Sequence, residues 1–314
     1  MNSRAIPDPT LRTRRRERGI ALLIALLILA LGASIASAML WERNLAVSRT
    51  SLLSAQSQAW LYDLGVESWV EQILLRDAGK PDTLSSDWAT QLPPLPVEGG
   101  AIQGKVEDLQ GRFNLNDLVD KNGKENTVAF SVLQHLFTVL NIDPGLANAV
   151  LDWVDADDIP RETDGAETGY YSSLDPPYAS ANALFVSATS LLLVKGITPE
   201  IYARLAPYVT ALPVNTPVNV NTTSAPVLAA IVPDLSLEEA RSVIQERGTK
   251  GFENPQQVDT MVQHKIVFPF SLNSSFFLLH VTTTIGNIPM SLYSILYRNQ
   301  QGMTETIARS FTPF

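Results

Sequence analysis

An α+β fold, in which a long N-terminal helix carries an antiparallel sheet and a large all-α segment is inserted between the sheet strands, follows from three observations. An uncharged apolar run, Ile20 to Leu40, passes without a break into an amphipathic stretch that reaches about Asp77. One alternating segment near residue 102 and three more after Ser275 read as strands. The residues between, about 117 to 265, carry helix caps and helical periodicity instead.

The apolar run has 21 residues, enough at ~1.5 Å per residue to cross ~30 Å of hydrocarbon. Five arginines between Arg12 and Arg18 precede it, so the short N-terminal side is expected to stay in the cytoplasm and everything after Leu40 to lie beyond an inner membrane. Residues 1–19 read as disordered. Two processing patterns fit. Ala36-Ser37-Ala38 offers the small-x-small site of a secretory signal peptide. Arg18-Gly19-Ile20 instead resembles the site of a prepilin leader, cut after Gly19 to leave Ile20 as the new N-terminus with the helix retained. The second pattern suits a run whose apolarity gives way directly to an amphipathic stretch.

Beyond Leu40, Leu45, Leu52, Ala55, Ala59, Val66, Trp69, Val70 and Ile73 form one apolar helix face, with Trp60 and Trp69 expected in a core. Gly79-Lys80-Pro81 stops the helix. Asp82 to Gly100, rich in Pro and Ser, reads as a loop and Ala101 to Asp108 as a strand. Asp143-Pro144 supplies an N-cap and a first-turn proline for a helix running to about Asp155, and Thr198-Pro199, Ser236-Leu237-Glu238-Glu239 and Asn254-Pro255 open further helices. Asn114-Leu115-Asn116 and Asn219-Val220-Asn221 each lead into a helical pair, which suggests a repeated small unit. Phe276 to Thr284, Met290 to Arg298 and Met303 to Ser310, parted by turns at Gly286-Asn287 and Asn299 to Gly302, complete the sheet. The domains expected are therefore 1–19 as leader, 20–40 as membrane half of the helix, 41–116 with 266–314 as an α+β domain, and 117–265 as the helical insertion.

The chain has no cysteine and a net charge of −9. Residues 1–19 hold six arginines against Asp8 and Glu17, leaving 17 basic and 30 acidic residues, or −13, from Ile20 onward. A surface that acidic repels nucleic acid and favours basic partners or divalent cations. The densest acidic stretch runs from Asp152 through Asp155, Asp157, Asp158, Glu162 and Asp164 to Glu167, seven carboxylates in 16 residues, with only Arg161 among them. Two readings fit it: a helix end running into a solvated loop, or a cage for a hard cation, with Ca²⁺ better suited than Mg²⁺ to irregular geometry. It is no EF-hand, because Pro160 stands where the glycine belongs.

Residues 219–265 resemble the helix-hairpin-helix module of competence-type DNA receptors, and a membrane-anchored receptor of that kind is the alternative function. The turn that would meet phosphate reads Ile231-Val232-Pro233-Asp234-Leu235, so a proline deletes a donor and an aspartate opposes the anion. Four basic residues (Arg241, Arg247, Lys250, Lys265) face six acidic ones there, and nucleic acid is not expected as a partner. His135, His264 and His280 lie at no ligand spacing, no catalytic signature occurs, and the chain does not read as an enzyme.

The leader-like Arg18-Gly19-Ile20, Gly111 to Asn116, Asp152-Trp153-Val154-Asp155-Ala156-Asp157, Gly165-Ala166-Glu167 and Pro217 to Thr222 together resemble the minor pseudopilin K family of type II secretion systems. The resemblance runs nearly end to end. It implies a pilin-like sheet on the spine helix with an all-helical insertion of two helix-hairpin-helix or SAM-like units, and cleavage by a prepilin peptidase with N-methylation at Gly19 and Ile20. It also implies calcium held by Asp155, Asp157, Asp164 and Glu167. Minor pseudopilins I and J are the implied partners, packing against Leu45, Leu52, Ala55, Ala59 and Val66. Most pilin-like chains carry Glu at the fifth mature position to neutralise a neighbour's terminal amine. Here that position is Ile24, an absence typical of this family member and consistent with a subunit at the periplasmic tip that starts and caps the pseudopilus for export of folded proteins.

Overall fold

The computed structural model describes the backbone of residues 9–91, 93–161 and 164–314, with side chains from Ile20 onward. The expectations for residues 1–8 and for Glu162 lie outside the described residues. The chain divides into two compact units, residues 1–58 and Ala59–Phe314. Helix α1 spans Pro9–Arg76, with residues in both units. The disorder expected for residues 1–19 is thus corrected over 9–19. Leu11, the arginines and Glu17 are strong helix formers, and extending an existing helix avoids the cost of nucleation. Between Ile20 and Leu40 every residue is exposed, and the helix is long and apolar enough to cross a membrane.

The second unit is built on a five-stranded antiparallel sheet. Its strands are β1 (Leu95–Val97), β2 (Gly100–Asp108), β7 (Phe276–Ile285), β8 (Ile288–Arg298) and β9 (Thr304–Ser310), adjacent in that order. Strand β1 corrects the loop expected over 82–100. Pro96 is tolerated on an edge strand, and Gly99, at φ 81°, makes the tight turn into β2. Alternation along β7 sends Phe277, Leu279 and Val281 to one face, where they pack with Val70 and Leu74 of α1 and with Trp88. Polar contacts tie helix to sheet as well: Thr283 donates to Asp63 (2.5 Å), Ser294 to Glu67 (2.7 Å), and Arg309 to both Glu67 oxygens (2.6 and 3.0 Å). Trp60 is half-buried against the exposed Phe311 (5.8 Å) and Trp69 is 43% exposed, so neither joins the core in which both were expected.

Between β2 and β7 come β3 (Phe113–Asn114), α2 (Thr127–Val139), α3 (Leu146–Val154), α4 (Thr168–Tyr171), α5 (Pro199–Leu205) and β4 (Val209–Thr210). There follow β5 (Val218–Asn219), α6 (Ala225–Ile231), α7 (Leu237–Arg247), α8 (Pro255–Val262) and β6 (Phe270–Ser271). The caps read from Thr198, Ser236 and Asn254 all form, Ser236 with Glu239 as a complete capping box. Asp143 does not cap α3. Its Oδ1 accepts from Gly145 N–H (2.9 Å) in a turn, and the helix starts two residues beyond Pro144.

The repeated Asn-x-Asn is realised atom for atom. β3 pairs in parallel with β4, and β5 with β6. In each motif the first Asn side chain accepts from the second Asn's N–H, at 3.2 Å in one and 2.9 Å in the other. The second Asn then grips the backbone of a distant phenylalanine from both sides: Asn116 holds Phe185 (2.7 and 3.0 Å) and Asn221 holds Phe252 (2.6 and 3.1 Å). Each grip satisfies a buried N–H and a buried C=O that no strand reaches. Asn116→Ala and Asn221→Ala are therefore each expected to destabilise the fold by about 2–4 kcal/mol, read as a lower urea midpoint with an unchanged slope.

Candidate metal centre

Helix α3 ends at Val154, and Asp155 is its C-cap in extended backbone, with its N–H on Leu151 O (2.9 Å). The acidic loop then doubles back to α4. Asp152, wholly buried on the last turn of α3, clips both limbs of that loop: its Oδ2 accepts from Arg161 N–H (3.1 Å) and Ala166 N–H (2.9 Å). Gly165 makes the approach possible, since a Cβ there would stand 2.4 Å from Asp152 Oδ2. Asn182 donates to Asp157 O (2.7 Å), Thr168 N–H to Asp158 Oδ1 (3.1 Å), and Lys195 Nζ to Gly165 O (3.0 Å). Arg161 pairs with Glu125 and lies over the Phe130 ring (4.7 Å).

This folding brings one carboxylate oxygen each from Asp155, Asp157 and Glu167 within 4.8 Å of one another. Asp155 Oδ1 and both Glu167 oxygens are buried without a hydrogen-bond partner, and the nearby Ser180 hydroxyl is turned to Asp152 O instead. Such atoms are costly unless they are protonated or meet a cation. Burial, reinforced by Asp152 and Asp155, pushes Glu167 up to about 8. Burial, followed by Asp157 and Asp152, pushes Asp155 up to about 6. Two desolvated carboxylates and the exposed Asp157 converge as a donor set suited to a hard divalent ion.

Asp164 does not belong to the group, which corrects the four-residue set. Its left-handed backbone (φ 61°) turns the carboxylate toward the Asp143–Gly145 turn, where a Cβ on Gly145 would sit 2.8 Å from Asp164 Oδ2. Asp152, held in the helix, acts as the clip; the signal for this was Gly165, whose lack of a side chain admits it. The partner face on α1 is also divided. Leu45 and Leu52 are 43% and 40% exposed and Ala55 half-buried, but Ala59 is 1% exposed and Val66 packs into the core beneath the sheet. Ala59 is thereby buried within this chain and Val66 is partly covered, because the sheet packs on this face of the helix from residue 59 on.

Two of the four basic residues of the 219–265 segment are engaged within the chain. Arg247 is buried and donates to Val220 O (2.7 Å) and Thr223 O (2.8 Å), and Arg241 is paired with Glu238.

Residues 111–214 and 218–265 each match a family model described as type II secretion system (T2SS), protein K. The break between the two matches falls between β4 and β5, where the second Asn-x-Asn unit begins. The chain is 34% identical to the type II secretion system protein K of Aeromonas hydrophila, over 94% of this chain and 97% of that protein. This chain belongs to the type II secretion system protein K family. The Pseudomonas aeruginosa family member is 31% identical over 94% of this chain and 93% of its own length. The same fold occurs in the crystal structure of the GspK-GspI-GspJ complex from the enterotoxigenic Escherichia coli type 2 secretion system, with a TM-score of 0.73 and 23% identity over 83% of this chain and 98% of that one. The acidic loop lies inside the first matched segment, and the named relatives are components of a secretion apparatus.

For this family member the raised carboxylates set a pH dependence. Both favour their protonated forms in the fold, so without a cation their contribution is complete below about pH 4 and is lost as pH rises through about 6 and then about 8. In EDTA the Tm is expected to fall by several degrees between about pH 5 and about pH 8.5. Glu167→Gln, which stays neutral, should flatten most of that fall in differential scanning calorimetry.

Proposed function

We propose that this protein is the minor pseudopilin that begins and caps the type II secretion pseudopilus, anchored in the inner membrane with its second unit in the periplasm. The observation that carries the reading is the wholly exposed apolar helix from Ile20 to Leu40 with Ile24 at its fifth residue. A prepilin peptidase cutting after Gly19 would leave Ile20 to be N-methylated. A subunit joining beneath another must offer a carboxylate to the amine above it, because an unpaired charge in hydrocarbon costs ~2.5–3.5 kcal/mol on insertion scales. Ile24 offers none, so this chain can lead a fibre and not join one from below. The helical insertion, which has a core of its own around Leu136, Leu151 and Leu228, obstructs a further subunit from stacking above. Minor pseudopilins I and J are the partners, by analogy with the complex in which the structural relative was crystallised.

Calcium is the ion assigned to the acidic centre, held by Asp155, Asp157 and Glu167. It would supply the positive charge that the buried, unpartnered oxygens lack and lock the Asp155–Glu167 loop onto α3. Millimolar Ca²⁺ at about pH 7.5 is expected to raise the Tm by about 5–10 °C. Asp155→Asn and Glu167→Gln should each abolish most of the gain, and Asp164→Asn should retain it. A gain that survives both of the first two substitutions would remove calcium from this centre.

The tip position is tested by Ile24→Glu in cells. With an acceptor restored, the subunit is expected to enter the shaft, giving longer pseudopili and impaired secretion. If immunogold labelling stays at the tip and pseudopilus length and secretion are unchanged, the missing carboxylate has no part in placing this subunit.

A further inference from the structure

The face that α1 lays on the sheet repeats at helical spacing: Ala59, Asp63, Val66, Val70 and Leu74. Four of the five are apolar, and Asp63 is the exception. It is wholly buried, and its Oδ1 accepts from the hydroxyl of Thr283, itself buried on β7 (2.5 Å). Its Oδ2 is buried without a hydrogen-bond partner. A carboxylate enclosed in that way is costly unless it keeps a proton or meets a cation.

The cations of the sheet are committed elsewhere. Glu67, one turn further along α1, takes Arg309 of β9 with both oxygens and Ser294 of β8 as well. Arg298 of β8 is held by Asp82. Glu71, a turn beyond Glu67, adds another carboxylate and accepts from Thr306 of β9 (3.2 Å). Ile102 of β2, Thr283 of β7 and Leu292 of β8, which face the helix, carry no charge. His280 and Tyr293 stack on each other on the opposite face of the sheet (4.2 Å). Burial therefore pushes the Asp63 carboxyl up to about 6, and the Thr283 hydrogen bond offsets only part of that rise. Packing decides which part of the joint gives way. Beyond Asp63 the helix is fastened by the Glu67–Arg309 pair and by Val70 and Leu74, both buried. Around Asp63 there is less to hold it: Ala59 buries only a methyl group, and Tyr62 and Val66 are half-buried. Segments with few buried apolar contacts open at the lowest free energy.

We propose that Asp63 is a proton-operated catch between α1 and the sheet. With the proton on, the helix closes on Thr283; when the proton leaves, the stretch from Ala59 to Val66 lifts from β7 while the part from Glu67 onward stays docked. The closed form favours the protonated carboxyl, so the stability it contributes is complete below about pH 4 and is lost as pH rises through about 6. The catch works in the same way whether or not the subunit sits at a fibre tip.

The chain has no cysteine, so Ala59→Cys in the full-length protein, purified in detergent, reports each lifting by thiol labelling. Rates are divided by those of the same variant unfolded in urea, which removes the pH dependence of the thiol itself. The ratio is expected to rise about tenfold between pH 5 and pH 8, and to change by less than about twofold when Asp63→Asn is added or when the thiol is placed at Val70→Cys instead. A ratio that stays flat at Ala59→Cys, that rises as much with Asp63→Asn, or that rises as much at Val70→Cys overturns the proposal. Calorimetry of the cysteine-free chain decides if a thiol variant does not fold. The Tm of Asp63→Asn minus that of the unmodified protein is expected to be larger at pH 8 than at pH 5 by about 3–5 °C. An equal difference at the two pH values overturns the proposal as well.

Discussion

The buried ion pair between Arg298 and Asp82 is the contact on which the second unit turns. Arg298, near the end of β8, also donates to Leu74 O at the end of the helix (3.1 Å) and to Ser274 O before β7 (2.8 Å). Asp82 in turn accepts from Ser274 N–H (2.7 Å), and Ser274 Oγ meets Asp108, the last residue of β2 (2.5 Å). Asn219 then donates to Asp108 (2.9 Å), Ser274 Oγ (2.9 Å) and Asp82 O (3.1 Å), while Thr222 reaches Asp108 (2.6 Å). Five separate stretches of chain meet here: the exit from α1, both strand ends where the insertion leaves and rejoins the sheet, the neighbouring strand, and the second Asn-x-Asn motif. Burial pushes Asp108 up to about 6 and raises Asp82 despite the guanidinium beside it, so the cluster is expensive in isolation. A buried pair of this kind is weak evidence for net stability. Its consequence is register: a strand slipped by one residue would strand Arg298 without a carboxylate in an apolar setting.

The same logic, run in reverse, shapes the acidic loop. At the Arg298 cluster every carboxylate oxygen is matched by donors, so the elements are locked. At Asp155 and Glu167 the protein folds just as tightly, through Asp152 and Gly165, but leaves buried oxygens unmatched. A chain that spends its donors so fully in one place and withholds them in another separates a structural joint from a site with unmatched charge. The two Asn-x-Asn units show how this was accommodated within one architecture. The first unit carries the long loops after its helices, with Asn116 reaching 69 residues on to Phe185; the second closes the equivalent grip over 31 residues, to Phe252. The acidic loop occupies the extra length.

The anchor helix divides along its length in the same spirit. Up to about residue 58 its apolar side chains are exposed or half-buried; from Ala59 the sheet takes one face and leaves Leu61 and Trp69 outside. An apolar stripe read from spacing alone could not mark that change, because Leu52 and Val66 are equally hydrophobic and equally well spaced. The edge strand Leu95–Val97 was hidden for a related reason. Its proline argues against a strand, and only pairing with Gly100 to Ile102 makes the edge position, where proline is harmless, apparent.

Local chemistry written in the sequence was sufficient for the apolar helix, the capped starts at Thr198, Ser236 and Asn254, the four longer strands, the insertion between them, and the paired Asn-x-Asn motifs, since each depends on neighbours within a few residues. Tertiary structure alone decided which carboxylates converge. Asp164 and Glu167 are three residues apart and chemically alike, yet a left-handed backbone at one sends it to the Asp143–Gly145 turn while the other meets Asp155 and Asp157. It likewise decided that Ala59 and Val66 turn inward. Such outcomes depend on where distant segments cross, and linear spacing carries no measure of that distance.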